Sequence, residues 1–218
     1  GVPELLVNNA GVSMNATFMD TSLEDWDWIL GINLKGVVHG CHFFVPGMAA
    51  RGTGHVVNIA SMTSFAPMQM MNAYSTSKCA VLGFSLALRQ ELAPSGVGVT
   101  AVCPGMINTA IAETGARRGW QKLEEVAKRG SQAFRWRDYS PERAARGILE
   151  AVQRDRAVGP VAPESWLLYY MSRFVPGLFP VLDGQLARAA RLQARMAAAG
   201  RGRGGSDSAV PDGVDVGS

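Results

Sequence analysis

Cysteine is scarce in this sequence, and its three cysteines form no arrangement that would hold a metal or a disulfide framework. Cys41, Cys79 and Cys103 are odd in number and lie far apart, without a C-x-x-C pair. Zinc sites and the disulfide frameworks of small secreted domains both need characteristic cysteine spacings. We therefore expect no metal ion and a location in the reducing cytoplasm.

The sequence also lacks long apolar runs and a strong excess of charge. No uninterrupted apolar run reaches the roughly 18 to 20 residues that cross a bilayer. The N-terminus has neither the basic start nor the apolar core of a signal peptide. The formal net charge is only +3, and no aromatic residues alternate with the arginines of residues 188–203. We therefore predict neither a membrane-spanning helix nor a nucleic-acid partner.

Apolar residues, by contrast, are plentiful enough for a buried core. The chain has 218 residues, of which 47% are hydrophobic, a size that suits one domain with a substantial core. Short apolar runs alternate with longer helical patterns, which predicts an α/β fold with a largely parallel sheet between helices. The predicted strands are residues 4–7, 55–59, 97–103 and 157–161. The predicted helices are residues 23–50, capped by Ser22 and kinked or broken at Pro46-Gly47, residues 73–92, and residues 141–154, capped by Ser140.

The C-terminal half has less regular patterns. Residues 106–139 show no clean period and are predicted to form a loop with short helices, at the strand end where open α/β sheets bind ligands. An aromatic stretch at residues 166–180 precedes an alanine- and arginine-rich helix at about residues 185–199. Glycine, serine and aspartate beyond residue 200 predict disorder. We therefore divide the chain into a domain at residues 1–163, a helical extension at 164–199 and a disordered tail at 200–218.

Tyr74 and Lys78 are the first candidates for catalysis. They stand four residues apart at the start of a predicted helix, so their side chains project from one face. A phenol is a poor proton donor or acceptor at neutral pH, but a neighbouring ammonium stabilises the phenolate and lowers the phenol pKa. Tyr74 could then act as a general acid or base. Ordinary packing of an amphipathic helix gives the same spacing.

Ser61 and Asn33 are two further polar candidates. Ser61 follows the second strand, where its hydroxyl could donate a hydrogen bond to a substrate oxygen, although serine is also common in turns at strand ends. Asn33 lies within the first long helix. Its amide must be hydrogen-bonded if it is buried, or else it faces solvent or caps a helix.

Five motifs together resemble the short-chain dehydrogenases/reductases, in the family's order and approximate spacing over about residues 3–160. They are Asn8-Asn9-Ala10-Gly11, Ile32-Asn33-Leu34-Lys35-Gly36, Asn58-Ile59-Ala60-Ser61, Tyr74-Ser75-Thr76-Ser77-Lys78 and Pro104-Gly105. The resemblance implies a Rossmann-like, doubly wound parallel sheet in three layers, incomplete at its N-terminal side. It also implies an NAD(P)-dependent oxidoreductase that transfers hydride between the nicotinamide and an alcohol or carbonyl substrate.

The resemblance also assigns a role to each motif. It makes Tyr74 the general acid/base, with Lys78 lowering its pKa and binding the nicotinamide ribose. It makes Ser61 the residue that orients the substrate oxygen, and Asn33 the residue that holds a water between Lys78 and solvent. The implied cofactor-binding residues, for NAD or NADP, are Asn9, Ala10, Gly11, Tyr74, Lys78, Pro104, Gly105, Ile107 and Thr109.

One family feature has no counterpart in the sequence. The glycine-rich phosphate turn that normally lies upstream of Asn8-Asn9-Ala10-Gly11 is absent, and the chain starts with Gly1 rather than methionine. The chain is then either a fragment of a complete enzyme, which we favour, or the natural product. In the second case its sheet edge would be exposed, and it could be a cofactor-free binding or regulatory module.

Substrate and partners are the least specified features. Phe65, Met68, Met70 and Met71 indicate either an apolar pocket, suited to a bulky or lipid-like secondary alcohol or ketone, or plain core filling. The extension at residues 164–199 could cover the substrate entrance, rest on a membrane surface, pack over the domain or contact another subunit. The family resemblance implies a homodimer or homotetramer.

Overall fold

The protein's structure, a computed structural model, describes residues 1–108 and 139–178. The chain divides into two compact units, Gly1–Phe174 and Val175–Ser218, and the elements below all belong to the first. Thr109, most of the predicted loop at residues 106–139, the predicted helix at 185–199 and the predicted tail lie outside the described residues.

Four parallel strands form the sheet of the described region. They are β1 (Leu5–Asn8), β2 (Gly54–Ile59), β3 (Val97–Pro104) and β4 (Val158–Val161), in the spatial order β1-β2-β3-β4. Each strand therefore pairs with the next one along the chain, and their carboxyl ends share one edge. The predicted α/β fold with a parallel sheet is confirmed.

The first long helical region is less regular than predicted. It consists of α1 (Leu23–Leu30), one π-helical turn (Gly31–Lys35) and α2 (Gly36–Arg51). Ser22 caps α1 as expected, in a reciprocal capping box with Asp25. Of the predicted kink or break at Pro46-Gly47, the break is wrong, since α2 continues through Pro46 to Arg51. Packing of the buried Val45 and Met48 on either side of the proline holds the helix together there.

Three further α-helices lie in the described part of this unit. They are α3 (Asn72–Leu92), α4 (Pro141–Gln153) and α5 (Pro163–Phe174). Ser140 caps α4 as predicted, because its side chain accepts a hydrogen bond from the Arg143 N–H. The aromatic stretch that follows β4 is largely helical, with Trp166, Tyr169 and Tyr170 on α5.

The core has one cluster on each face of the sheet. Neighbouring strand residues point to opposite faces, so Val56 and Val99 pack with Val81 of α3 while Val57 and Val102 pack in the second cluster with Ala144 of α4. The sheet thus forms the middle of three layers. A third cluster, around Ile29 and Ala73, joins α1 to the start of α3.

Candidate active site

The candidate catalytic residues meet at the carboxyl edge of the sheet. Ser61 lies just beyond the end of β2, Tyr74 and Lys78 lie in the first turns of α3, and Asn33 lies in the π-helical turn. Three separate elements therefore bring the four side chains to one region, as the parallel arrangement of the strands requires.

Ser61 and burial act on Tyr74 in opposite directions. The Ser61 side chain lowers the phenol pKa, but burial outweighs it and leaves the pKa of Tyr74 above its ordinary value. The Ser61 Oγ also accepts a hydrogen bond from the Thr63 N–H at 3.2 Å, which fixes its rotamer.

Lys78 is buried, with 3% of its surface exposed. Its Nζ donates to the Ile59 carbonyl at 2.8 Å and lies 5.9 Å from the centroid of the Tyr74 ring. Burial lowers the pKa of Lys78 to about 8. The sequence predicts an ammonium that lowers the phenol pKa, but here the ammonium is bonded to the strand carbonyl and burial dominates at the phenol.

Asn33 is completely buried, and its amide is hydrogen-bonded throughout. Its Oδ1 accepts from the Val12 N–H at 2.8 Å, and its Nδ2 donates to the Val12 carbonyl at 2.9 Å and to Ser77 Oγ at 2.9 Å. Ser77 in turn donates to the Tyr74 carbonyl at 2.7 Å. Asn33 therefore ties the segment after β1 to the turn of α3 that carries Tyr74.

The loop after β1 passes close to Lys78. A Cβ built on Gly11 would lie 3.3 Å from Lys78 Nζ and 3.4 Å from Asn33 Oδ1. Only glycine leaves this space open without moving a neighbour. Asn9 and Ala10 are exposed at the same edge, and Gly11 is half-buried. A ligand can therefore reach Asn9 and Ala10 directly, with Gly11 next to them.

A buried polar network under this edge is missed by the sequence analysis. Asn8 Nδ2 donates to Asn58 Oδ1 at 2.8 Å and contacts Cys41 Sγ at 3.4 Å, while Asn58 Nδ2 donates to Ser85 Oγ at 3.0 Å. Asn8 and Asn58 are direct partners in the β1–β2 register. Two asparagines at the ends of apolar strands are the only trace of it in the sequence.

The Pro104-Gly105 segment lies at the same edge. The Gly105 N–H donates to the Val161 carbonyl at 2.8 Å, which extends the pairing of β3 with β4. The Ile107 side chain is buried among Val57, Val102 and other core residues. Any contact of Ile107 with a ligand would therefore come from its backbone.

Helix α5 supplies two residues that the sequence analysis did not single out. Glu164 Oε1 accepts a hydrogen bond from the Met106 N–H at 2.7 Å, and the Ser165 hydroxyl donates to the Cys103 carbonyl. An acid after a proline at a helix start is so common that its sequence carries no distinguishing pattern. Their partners are 58 and 62 residues away, and only the fold brings them together.

Of the residues predicted to line a substrate pocket, Phe65 packs against the core and Met68 is exposed. Phe65 packs against the core and makes an edge-on contact with Tyr169 of α5, with ring centroids 5.3 Å apart. Met68 is exposed, whereas Met70 has a φ of 62° and its carbonyl accepts from the Ala16 N–H at 2.8 Å. Phe65 therefore fits both alternatives, since it fills core space and reaches α5.

Residues 1–108 and 139–178 contain no helix that is long and apolar enough to span a membrane. No group of three or more His, Cys, Asp or Glu side chains in these ranges is arranged to hold a metal ion.

Comparison with known proteins identifies several relatives. The family model described as short chain dehydrogenase matches residues 4–118. The probable oxidoreductase EphD of Mycobacterium tuberculosis is 44% identical over 181 residues, which are 81% of this chain and 31% of that protein. An uncharacterized oxidoreductase of Staphylococcus epidermidis is 34% identical over 110 residues, or 50% of this chain and 48% of that protein. The chain thus spans less than half of the length of either relative.

Solved structures show the same relationship. A short chain dehydrogenase/reductase of Burkholderia phymatum in complex with NAD aligns with a TM-score of 0.71 at 28% identity, covering 84% of this chain and 68% of that one. A gluconate 5-dehydrogenase of Burkholderia cenocepacia in complex with NADP and tartrate gives 0.51 at 28% identity, covering 52% and 45%. The family match spans more than half of the chain and includes Ser61, Tyr74 and Lys78. The chain therefore belongs to the short-chain dehydrogenase/reductase family of oxidoreductases.

Proposed function

We propose that this chain carries the catalytic residues of an NAD(P)-dependent oxidoreductase that transfers hydride between a nicotinamide cofactor and a secondary alcohol or ketone. Tyr74 is the general acid/base in this proposal. The observation that carries it is that Ser61, Tyr74 and Lys78 meet at the carboxyl edge of the sheet, where the Ser61 side chain lowers the pKa of the buried phenol. Lys78, one helical turn along α3, is the only cation that we assign to the site.

The residues present fit a nicotinamide cofactor. Beside the Lys78 ammonium, the absence of a side chain on Gly11 keeps open a space that a Cβ would enter. When bound, the cofactor supplies the hydride donor or acceptor. The residues that would hold it are Asn9, Ala10, Gly11, Tyr74, Lys78, Pro104, Gly105 and Ile107, with Thr109 a further candidate outside the described residues.

The protonation state of Tyr74 favours reduction of a carbonyl substrate. Because burial raises the pKa of Tyr74, its phenol is protonated at neutral pH and can give its proton to a carbonyl oxygen. Ser61 donates a hydrogen bond to the same oxygen and so stabilises developing negative charge. For oxidation, Tyr74 must first lose its proton, which becomes easier when the Lys78 ammonium turns from the Ile59 carbonyl toward the phenol.

The substrate that suits this site is apolar. Phe65, half-buried after β2, and Tyr169 of α5 present aromatic surface on one side of the edge that holds Ser61. Met68 adds an exposed, adaptable thioether side chain nearby in sequence. We assign the substrate to bulky or lipid-like secondary alcohols and ketones.

Contact with a membrane surface is a second proposal, carried by α5. Leu167, Tyr170 and Phe174 are 59%, 50% and 79% exposed, and their spacing puts them on one face of the helix. Tyr170 and Phe174 stack with their ring centroids 6.2 Å apart, and the Arg173 guanidinium of the same helix lies over the Tyr169 ring at 5.3 Å. Exposed aromatic residues next to a basic one suit the interface of an anionic bilayer.

Homodimer or homotetramer formation stays a prediction.

The test of the enzymatic proposal is Tyr74→Phe in a folded protein that contains this chain. Turnover of a screened ketone panel with NADH or NADPH should fall about 10²- to 10⁴-fold, as expected for loss of a general acid. Cofactor affinity, measured by nucleotide fluorescence, should stay within about threefold. Tyr170→Phe on the exposed face of α5 is the matched control and should leave both quantities unchanged.

Two outcomes would contradict this proposal. If Tyr74→Phe retains full turnover, Tyr74 is not the acid/base. If the folded wild-type protein binds neither nucleotide, the oxidoreductase proposal fails and the alternative of a cofactor-free binding or regulatory module of the same fold takes its place.

A further inference from the structure

The start of α5 is fastened to the end of β3 by two consecutive side chains. Glu164 Oε1 accepts from the Met106 N–H at 2.7 Å. One residue later, the Ser165 hydroxyl, which is fully buried, donates to the Cys103 carbonyl. The two bonds bracket Pro104-Gly105, the segment that we assign to the cofactor.

Glu164 also occupies the space beside Gly105. A Cβ built on Gly105 would collide with Glu164 Oε1, the same oxygen that receives the Met106 N–H. The carboxylate and the glycine therefore depend on each other: any side chain at position 105 displaces the carboxylate from its hydrogen bond.

Each residue of the backbone from Gly105 to Ile107 has a contact that fixes its position. The Gly105 N–H is bonded to the Val161 carbonyl at 2.8 Å, the Met106 N–H is bonded to Glu164, and the Ile107 side chain is buried in the core. Of these three restraints, only the bond to Glu164 comes from a side chain acceptor, and a charged acceptor gives the stronger hydrogen bond.

A simpler account would make Glu164 an ordinary acid in the first turn of a helix, where it stabilises the helix dipole. Such an effect needs a charge near the helix end but no particular partner. The bond to the Met106 N–H and the fit against Gly105 are instead specific to the backbone at the end of β3, where we place the cofactor.

We infer that Glu164 is a positioning residue that fixes the Gly105–Met106 peptide and thereby sets the affinity of this edge for the nicotinamide cofactor. The inference deepens the proposed function and rests on it. Glu164 acts through the backbone and takes no part in proton or hydride transfer.

The experiment compares Glu164→Ala, Glu164→Gln and Ser165→Ala in the full-length protein, with nucleotide Kd, KM and kcat and urea unfolding measured for each. Loss of a hydrogen bond to a charged acceptor should raise the Kd for NADH or NADPH about 10-fold or more in Glu164→Ala. Glu164→Gln keeps an oxygen acceptor and should stay within about threefold of wild type. Ser165→Ala should lower the free energy of unfolding and leave the Kd unchanged.

A second comparison tests the dependence between the two residues. Gly105→Ala should raise the Kd as Glu164→Ala does, because the new methyl group displaces the carboxylate. The double variant should then bind no more weakly than either single variant. If the two losses instead multiply, or if Glu164→Ala binds nucleotide like wild type, the inference is overturned while the proposed function stands. If wild type itself binds no nucleotide, the proposed function fails and the inference fails with it.

Discussion

Burial shifts Tyr74 and Lys78 toward their neutral forms, although the two residues stand one helical turn apart. The phenol pKa lies above its ordinary value, and the ammonium pKa falls to about 8. The resemblance to the family predicts that Lys78 lowers the phenol pKa. It does not do so while its Nζ is bonded to the Ile59 carbonyl. In the proposed mechanism, a turn of this ammonium toward the phenol makes loss of the Tyr74 proton easier.

The pKa of Lys78 predicts how stability depends on pH. The unfolded chain keeps this proton up to about pH 10.5, whereas the folded state releases it from about pH 8. Between these values the unfolded state binds more protons, so the free energy of unfolding rises with pH, by at most about 1.4 kcal/mol per pH unit. Below pH 8 the cost of the buried ammonium is fully present.

Urea unfolding of wild type and Lys78→Met from pH 7 to 10.5 would measure this contribution. The stability of wild type relative to Lys78→Met should increase across the window, while Lys35→Met, at an exposed lysine, should track wild type. Parallel curves for wild type and Lys78→Met would show that Lys78 is not a buried, destabilised ammonium.

At the scale of elements, the π-helical turn at Gly31–Lys35 matters most to the site. A turn of this kind inserts extra backbone into a helix and is frequent at functional positions. Here its centre is Asn33, whose amide bonds both backbone groups of Val12 and the hydroxyl of Ser77. The loop after β1, the helix pair α1–α2 and α3 are thus joined through a single side chain.

Asn33→Ala should therefore lower the free energy of unfolding by more than the loss of one hydrogen bond would. It leaves the Val12 N–H and carbonyl and the Ser77 hydroxyl without their partner, a loss of about 2–4 kcal/mol. Ser77→Ala removes one of these bonds and should cost about 1 kcal/mol. Urea unfolding of both variants distinguishes them, and equal costs would mean that Asn33 does not link the three segments.

At the scale of the whole molecule, local patterns predicted the sheet well, and the structure brings the four candidate catalytic residues to one region. Strands predicted at residues 4–7, 55–59, 97–103 and 157–161 agree with the observed ones to within a residue at either end, since short apolar runs bounded by turn residues specify them. The Asn8–Asn58 bond and the Glu164–Met106 bond escaped prediction because they depend on the register of segments far apart in sequence.

If the exposed face of α5 contacts a membrane, removing its apolar side chains should weaken binding to vesicles. Replacing Leu167, Tyr170 and Phe174 together by serine should reduce co-sedimentation of the full-length protein with vesicles of phosphatidylcholine and anionic phosphatidylglycerol at least about fivefold, since each apolar side chain loses its burial in the interface. Leu149→Ser, at an exposed leucine of α4, is the control. Equal sedimentation of wild type and the triple variant would rule out membrane contact through α5.

The sequential strand order also bears on how the protein acquires its shape. Within the described region β2, β3 and β4 each pair with the strand that precedes them, so these strands can join the sheet in the order in which they are synthesised. Ser61, Tyr74 and Lys78 can come together once α3 and its neighbouring strands are made. The Glu164 contact must wait for β4 and α5, the last elements described. We expect partly synthesised chains to hold a formed catalytic cluster before the edge that receives the nucleotide is locked in place.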